Sequence, residues 1–400
     1  MMCYGVNIMT PIPYCLNIHP GESLAAVREA ITRHALAVKA RVSPDAPYPL
    51  GPRLAASAAE EFTASPAEPD AFAELLARHD LFVTGINGFP YGAFHNTTVK
   101  TAVYDPDWAT SERLTYTGRL ATILAALLPE GRTGNISTVP LGYKQSQAEA
   151  RPVAQIYARQ LAVMAEFLEQ LHKEKGREIV LALEPEPDCA IENTDEMIAW
   201  FEDELLFEGI RWLSANNRRT RDEAEALLRR HIGLCLDTCH FAVEFEDPLT
   251  ALVRFESACI RVARVQLSAA IRTTVSDESL GRLRAFIDPV YLHQTKICLP
   301  RGNIVSLPDL TEPTLATARE HIGQELRTHF HVPLFYDGDG TLASTNTDLT
   351  PEFFAHVRKQ GYPLEIETYT FDVLPPALRA ADVVDSLVRE HEWVMARMSG

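Results

Sequence analysis

The feature that most constrains this chain is a short segment that recurs along it: aliphatic residues alternating with small or polar ones, ending on a side chain able to bind a metal. The segments are YCLNIH (14–19), IVLALE (179–184), IGLCLD (232–237), VARVQL (262–267) and LEIE (364–367). Successive side chains of a strand point to opposite faces. Ile179, Leu181 and Leu183 then oppose Val180, Ala182 and Glu184, and Ile232, Leu234 and Leu236 oppose Gly233, Cys235 and Asp237. Ala263, Val265 and Leu267 oppose Val262, Arg264 and Gln266; Leu364 and Ile366 oppose Glu365 and Glu367; Tyr14, Leu16 and Ile18 oppose Cys15, Asn17 and His19. The bulky faces suit packing against helices. The other faces must then look into a closed interior.

Further strands are expected at 81–87 and 134–139, with a short one near Arg53. Helical spacing predicts helices over about 23–39, 70–78, 111–128, 152–172, 194–206, 221–230 and 381–397, with Pro152 in the first turn of its helix. Strands alternating with helices make a parallel sheet, and eight of them suggest an α/β (β/α)8 TIM barrel. The 400 residues read as one domain, 1–400, with a long insertion of weak periodicity at about 268–348, after strand 7. Such barrels carry their sites at the carboxyl ends of the strands. Glu184, Asp237, Gln266, Glu367 and His19 therefore converge on one mouth. Taken singly, each acid also suits a helix cap or an ion pair, and each histidine a satisfied core position. Taken together, three buried carboxylates repel one another, which favours a bound cation.

Composition narrows the partners. The net charge of -17 lacks the basic footprint of a nucleic-acid binder, so nucleic acid is an unlikely partner and a small-molecule metabolite the expected one. No apolar run reaches 18 residues, so no membrane span is expected, and MMCYGVNIMTP has no leader pattern. Seven cysteines without a CxxC pair point to reduced thiols and a cytoplasmic setting.

The motifs LALEPEP (181–187), LDTCH (236–240), VQLS (265–268) and EIET (365–368) resemble, in order, those of the xylose-isomerase-like superfamily, which holds sugar isomerases, epimerases and the endonuclease IV type of repair enzyme. The resemblance implies a metal site of Glu184, Asp237, Gln266 and Glu367, with His240 contacting substrate or a second ion. With YCLNIHPGES, INGFPYGAFH, YLHQT, HFHVPLF and EIETYTFDVLPP added, the chain resembles EboE-type proteins of bacterial ebo metabolite-traffic clusters. The epimerases usually carry histidine where Gln266 stands. A neutral oxygen donor there moves the set toward Mg²⁺ or Mn²⁺ and away from Zn²⁺. Against that, His293, His329 and His331 follow in the insertion. If they fold over the mouth with His19 and His95, a multinuclear, zinc-friendly site forms, with His329 and His331 in the role of the endonuclease's Asp-x-His pair. The alternative is that HFHVP is an ordinary strand.

The leading expectation is a divalent-metal (Mn, Mg or Zn) isomerase or epimerase acting on a small polyhydroxylated or carbonyl metabolite. Glu184 and Glu367 would move a proton through an enediolate, and His240 would position substrate oxygens. Arg264 would meet an anionic group or pair with Glu365. The alternatives are a multinuclear phosphoesterase of endonuclease IV type and a non-catalytic barrel that hands a metabolite on.

Overall fold

The computed structural model of the chain describes residues 11–95, 97–144 and 147–399. The opening segment, read above as lacking a leader, falls outside them. Six parallel strands form the central sheet, in the order β13-β7-β6-β5-β4-β3. They are β3 (Gly85–Asn87), β4 (Gly134–Thr138), β5 (Ile179–Leu183), β6 (Ile232–Asp237), β7 (Arg261–Leu267) and β13 (Leu364–Ile366). A parallel pair, β1 (Tyr48–Leu50) and β2 (Leu81–Val83), lies apart from it in the strand pairing. Single parallel bridges join Tyr14 to Ile366, Cys15 to Gly51 and Arg53 to Asn87, so both edges of the six-stranded sheet are met. The architecture is α/β with a curled parallel sheet.

The expected strand at 14–19 is reduced to its first two residues. Leu16–Ile18 turn into a single 3₁₀ helix. The turn carries Asn17 across to Glu367, whose Oε1 accepts from its Nδ2 at 2.6 Å. The predicted 152–172 helix runs over Gln147–Lys175, which places Pro152 inside it instead of in its first turn.

The aliphatic faces pack outward as expected: Ile179, Leu181, Leu183, Ile232, Leu234, Leu236, Val265, Leu267 and Ile366 belong to the main core. Val180, Ala182 and Cys235 form a second, small cluster with Ala263. Ala263 was expected outward and Val262 inward. A register shift between β6 and β7, where Leu234 pairs Val262 and Cys235 pairs Arg264, leaves Ala263 unpaired and reverses the two. Below the small cluster a buried ion pair closes the interior: Arg264 Nη1 donates to Glu365 Oε2 at 2.8 Å, and its Nε to Asn135 Oδ1 at 2.6 Å. Gly51 and Gly85 make room for it; a Cβ at Gly51 would stand 1.9 Å from Glu365 Oε1, and one at Gly85 2.2 Å from Arg264 Nη2.

Between β7 and β13 the chain builds an antiparallel sheet of its own, ordered β10-β9-β11-β8-β12. Its strands are β8 (Ile271–Thr274), β9 (Thr295–Cys298), β10 (Ile304–Leu307), β11 (Glu325–Thr328) and β12 (Ala343–Ser344). His329 and His331 follow β11 and are not part of a strand. Among the described residues, no helix is long and apolar enough to cross a membrane.

Candidate metal centre

Asp237 ends β6 and begins the next helix, Thr238–Val243, as its N-cap. Its Oδ1 accepts from the Cys239 and His240 amides at 2.7 and 3.2 Å and from Ser268 Oγ at 2.5 Å. The capping role thus uses one oxygen of the carboxylate, and the other, Oδ2, is buried without a hydrogen-bond partner.

Two more carboxylates meet it. Glu184 stands one residue past β5 and Glu367 one residue past β13. Glu367 Oε1 is fixed by the side-chain amides of Asn17 (2.6 Å) and Asn87 (3.5 Å). Glu184 Oε2 and Glu367 Oε2 are buried without partners, as Asp237 Oδ2 is. Oxygens of the three residues lie within 4.8 Å of one another, and none of the residues is more than 4% exposed. At an effective dielectric of ~20, each fully ionised pair at that distance repels by ~3–4 kcal/mol. Burial first, and then the neighbouring carboxylates, hold the Glu184 and Glu367 carboxyls well above the usual range. Three clustered carboxylates, each with one buried oxygen left without a partner, are a donor set that suits a divalent cation.

A second group abuts the first. His240, His329 and His331 are all buried. Their Nδ1 atoms face Pro185 O at 3.0 Å, Gln294 Oε1 at 2.7 Å and Glu367 O at 2.9 Å. Each acceptor requires an N–H there, which leaves Nε2 as the lone-pair nitrogen. The lone pairs converge: His329 Nε2 is 3.0 Å from His331 Nε2, and His240 Nε2 is 4.0 Å from Asp237 Oδ2. Two facing lone pairs at 3.0 Å need a proton or a cation between them. Burial, reinforced by the neighbouring imidazoles, resists the proton: His331 is pushed down to about 4 and His329 well below its ordinary value. Imidazoles held through Nδ1–H with Nε2 free are arranged as metal ligands are. Compact donor sets occur at Asp237–His240–His331, Glu186–His240–His329 and Cys239–His329–His331.

The remaining expected residues lie around this pair of groups. Gln266 is buried, its Oε1 accepts from Cys235 Sγ at 2.9 Å, and it is Nε2 that lacks a partner. His19 stacks on His34, with ring centroids 4.3 Å apart, and its Nε2 meets Tyr14 Oη. His95 is held between Asn17 O (2.6 Å) and Tyr291 Oη (3.0 Å). His293 sits between Asp288 Oδ2 and His329 O, both at 2.7 Å, behind the histidine trio. None of these four lines the cleft over the carboxylates. Arg264 pairs with Glu365 beneath it.

The sequence reasoning passed over Glu186, whose Oε1 accepts from Tyr104 Oη at 2.7 Å and lies 3.5 Å from His329 Nδ1. The signal was available: Glu186 stands between two prolines in EPEP, directly after a strand end. Gln294 was also passed over. Its amide donates to Tyr104 Oη at 2.8 Å and Pro187 O at 2.9 Å, which fixes its oxygen toward His329.

No family model matches the chain, and no curated protein matches it. Among solved structures it is similar to one described as the IolI protein with a binding zinc atom, at 12% identity over 98% of each chain and a TM-score of 0.46. It is also similar to a xylose isomerase-like TIM barrel/4-hydroxyphenylpyruvate dioxygenase fusion protein, at 10% identity over 97% of this chain and 43% of that one, with a TM-score of 0.44. A glycoside hydrolase family 18 N-acetylglucosaminidase from Paenibacillus barengoltzii matches at 12% identity over 95% of this chain and 100% of that one, with a TM-score of 0.37. At these scores the likenesses carry no argument, and the chemistry rests on this chain's own geometry.

Proposed function

We propose that the chain is a divalent-metal isomerase or epimerase acting on a small metabolite that bears adjacent carbonyl and hydroxyl oxygens. Its fold is read as a single xylose-isomerase-like (β/α)8 domain, with 268–348 inserted after the seventh strand. The bridges of Tyr14, Cys15 and Arg53, which meet both edges of the parallel sheet, support that reading. The carrying observation is the trio of unpartnered buried oxygens on Glu184, Asp237 and Glu367. These residues would hold the ion; the fourth expected ligand, Gln266, has its Oε1 engaged by Cys235 Sγ. A divalent ion supplies Lewis acidity there, polarising the carbonyl and acidifying the adjacent C–H.

The chain's own groups do the rest. Glu184 takes the proton: burial, and then the neighbouring carboxylates, raise its carboxyl, which makes its carboxylate a stronger base. Glu367, aimed by Asn17 and Asn87, would donate a proton of its own to the opposite face, so that Glu184 ends protonated and Glu367 ionised. His240, its ring fixed by Pro185 O, orients a substrate oxygen through Nε2. The test is Glu184→Gln and Glu367→Gln, assayed for isomerisation of α-hydroxycarbonyl compounds and for metal content. Both variants losing activity and metal is the expected result; full metal occupancy with unchanged turnover in both sinks the proposal.

The convergent Nε2 atoms of the three histidines favour a second reading, a multinuclear, zinc-dependent phosphoesterase of endonuclease IV type. Elemental analysis separates them: one ion per chain supports the isomerase, two or three the hydrolase. The motifs quoted above support placing the chain among EboE-type proteins of a bacterial ebo pathway. A purified protein that keeps a ligand but turns nothing over would favour the handover role. The described cysteines, all free thiols, support a cytoplasmic setting.

A further inference from the structure

The cleft over the carboxylates has two unlike halves. Its floor is Asn17, Asn87, Glu184, Glu186 and Glu367 with the histidine trio. Its wall is apolar: Phe89, Phe94, Val103, Tyr291, Leu292 and Tyr369. Three of these rings form a closed cluster, with centroids 5.0 Å apart for Phe94–Tyr291, 5.3 Å for Phe94–Tyr369 and 5.0 Å for Tyr291–Tyr369.

The wall also lacks a cation free to meet an anionic substrate group. Among the lining residues described, Lys100 is the only lysine or arginine, and its Nζ already donates to Asp288 O, Tyr291 O and Asp309 Oδ2 at 2.8, 2.6 and 2.7 Å. Arg53 lies over the Phe94 ring, 5.5 Å from its centroid, and is bound to Glu22 and Gly92. Arg264 is bound to Glu365 and does not line the cleft. A phosphate or carboxylate seated against this wall would desolvate beside aromatic carbon, with no lysine or arginine of the wall free to meet it.

We infer that the molecule bound at this site is uncharged, with a carbonyl–hydroxyl pair directed to the carboxylates and an apolar body, aryl in kind, lying against the Phe94–Tyr291–Tyr369 wall. This rests on the metal reading above and narrows its substrate class away from sugar phosphates and the polyhydroxylated chains expected from sequence. A flat ring satisfies the wall by offset or edge contact, and the wall offers few hydrogen bonds to a string of hydroxyls.

The test compares three probes sharing one chelating head, by calorimetry on the metal-loaded protein: 2-hydroxyacetophenone, dihydroxyacetone and dihydroxyacetone phosphate. The aryl probe is expected to bind at least about tenfold more tightly than either of the others. Val103→Lys places a cation at a half-buried wall position; it is expected to weaken the aryl probe and strengthen the phosphate. Equal or tighter binding of the phosphate by the wild type, or no binding of the aryl probe to protein that carries its metal, overturns the inference. Protein that holds no divalent ion under any loading overturns the reading beneath it, and elemental analysis of the same sample tells the two failures apart.

Discussion

Replacing Glu184 by glutamine separates a charge held for a metal from a charge held for the fold. The change conserves volume and removes one of three carboxylates whose oxygens lie within 4.8 Å. Each ionised pair repels by ~3–4 kcal/mol at an effective dielectric of ~20. Burial first, and then this repulsion, raise the Glu184 and Glu367 carboxyls, so that without metal the wild type favours keeping protons there. A raised acid binds more protons folded than unfolded, so metal-free stability falls as pH rises above the ordinary carboxyl range. Glu184→Gln should remove part of that slope, and the variant should be more stable than the wild type by ~1–3 kcal/mol at pH 8 with metal chelated, within the pair repulsion above. With metal added the order should reverse. A ligand at 100 times its Kd stabilises the wild type by ~2.7 kcal/mol, a gain the variant largely forgoes. Urea unfolding at pH 6 and 8, with chelator and with Mn²⁺ or Zn²⁺, reads both terms. A variant less stable than the wild type without metal, and stabilised as much by metal, would refute the reasoning.

Glu390, 1% exposed, has its carboxyl pushed up to about 7 by burial. The stability its protonated form contributes should be lost as pH rises from ~4.5 to ~7, so Glu390→Gln should be neutral at pH 4 and stabilising by up to ~3 kcal/mol at pH 8, measured by denaturant midpoint. Gly51→Ala drives a Cβ into Glu365 Oε1 and should break the buried Arg264 pair, costing ~3 kcal/mol or more in urea melts. His331→Gln removes one of the converging Nε2 atoms; if the protein binds more than one ion, elemental analysis should show the stoichiometry falling while the carboxylate trio stays loaded.

The three carboxylates were legible because period-two alternation fixes a face and a strand's end fixes a depth; Glu184, Asp237 and Glu367 needed nothing more. The reversal at Val262 and Ala263 was not, because a bulge depends on how β6 and β7 register and leaves no mark in the composition of either. His19 and His95 shared the residue type of ligands but are bound by local partners, Tyr14 and the Asn17 carbonyl, that no spacing rule reveals. The segment at 14–19 had the alternation of a strand and makes only two bridges, since its chain turns to deliver Asn17. The HFH pair shows how a tertiary context decides: one and three residues past the end of β11, both rings turn to the cleft because Gln294 and the Glu367 carbonyl anchor them.

Those anchors have a consequence for how the molecule divides. The three imidazoles are steadied by a loop after β5, by Gln294 just before β9 and by the backbone past β13. The antiparallel sheet between β7 and β13 is therefore no detachable ornament. Cutting it away would remove His329 and His331, and moving it elsewhere would leave His331 without the Glu367 carbonyl that holds it. The parallel and antiparallel sheets both support the histidine cluster, and a variant that loosens either is expected to disturb these three rings together.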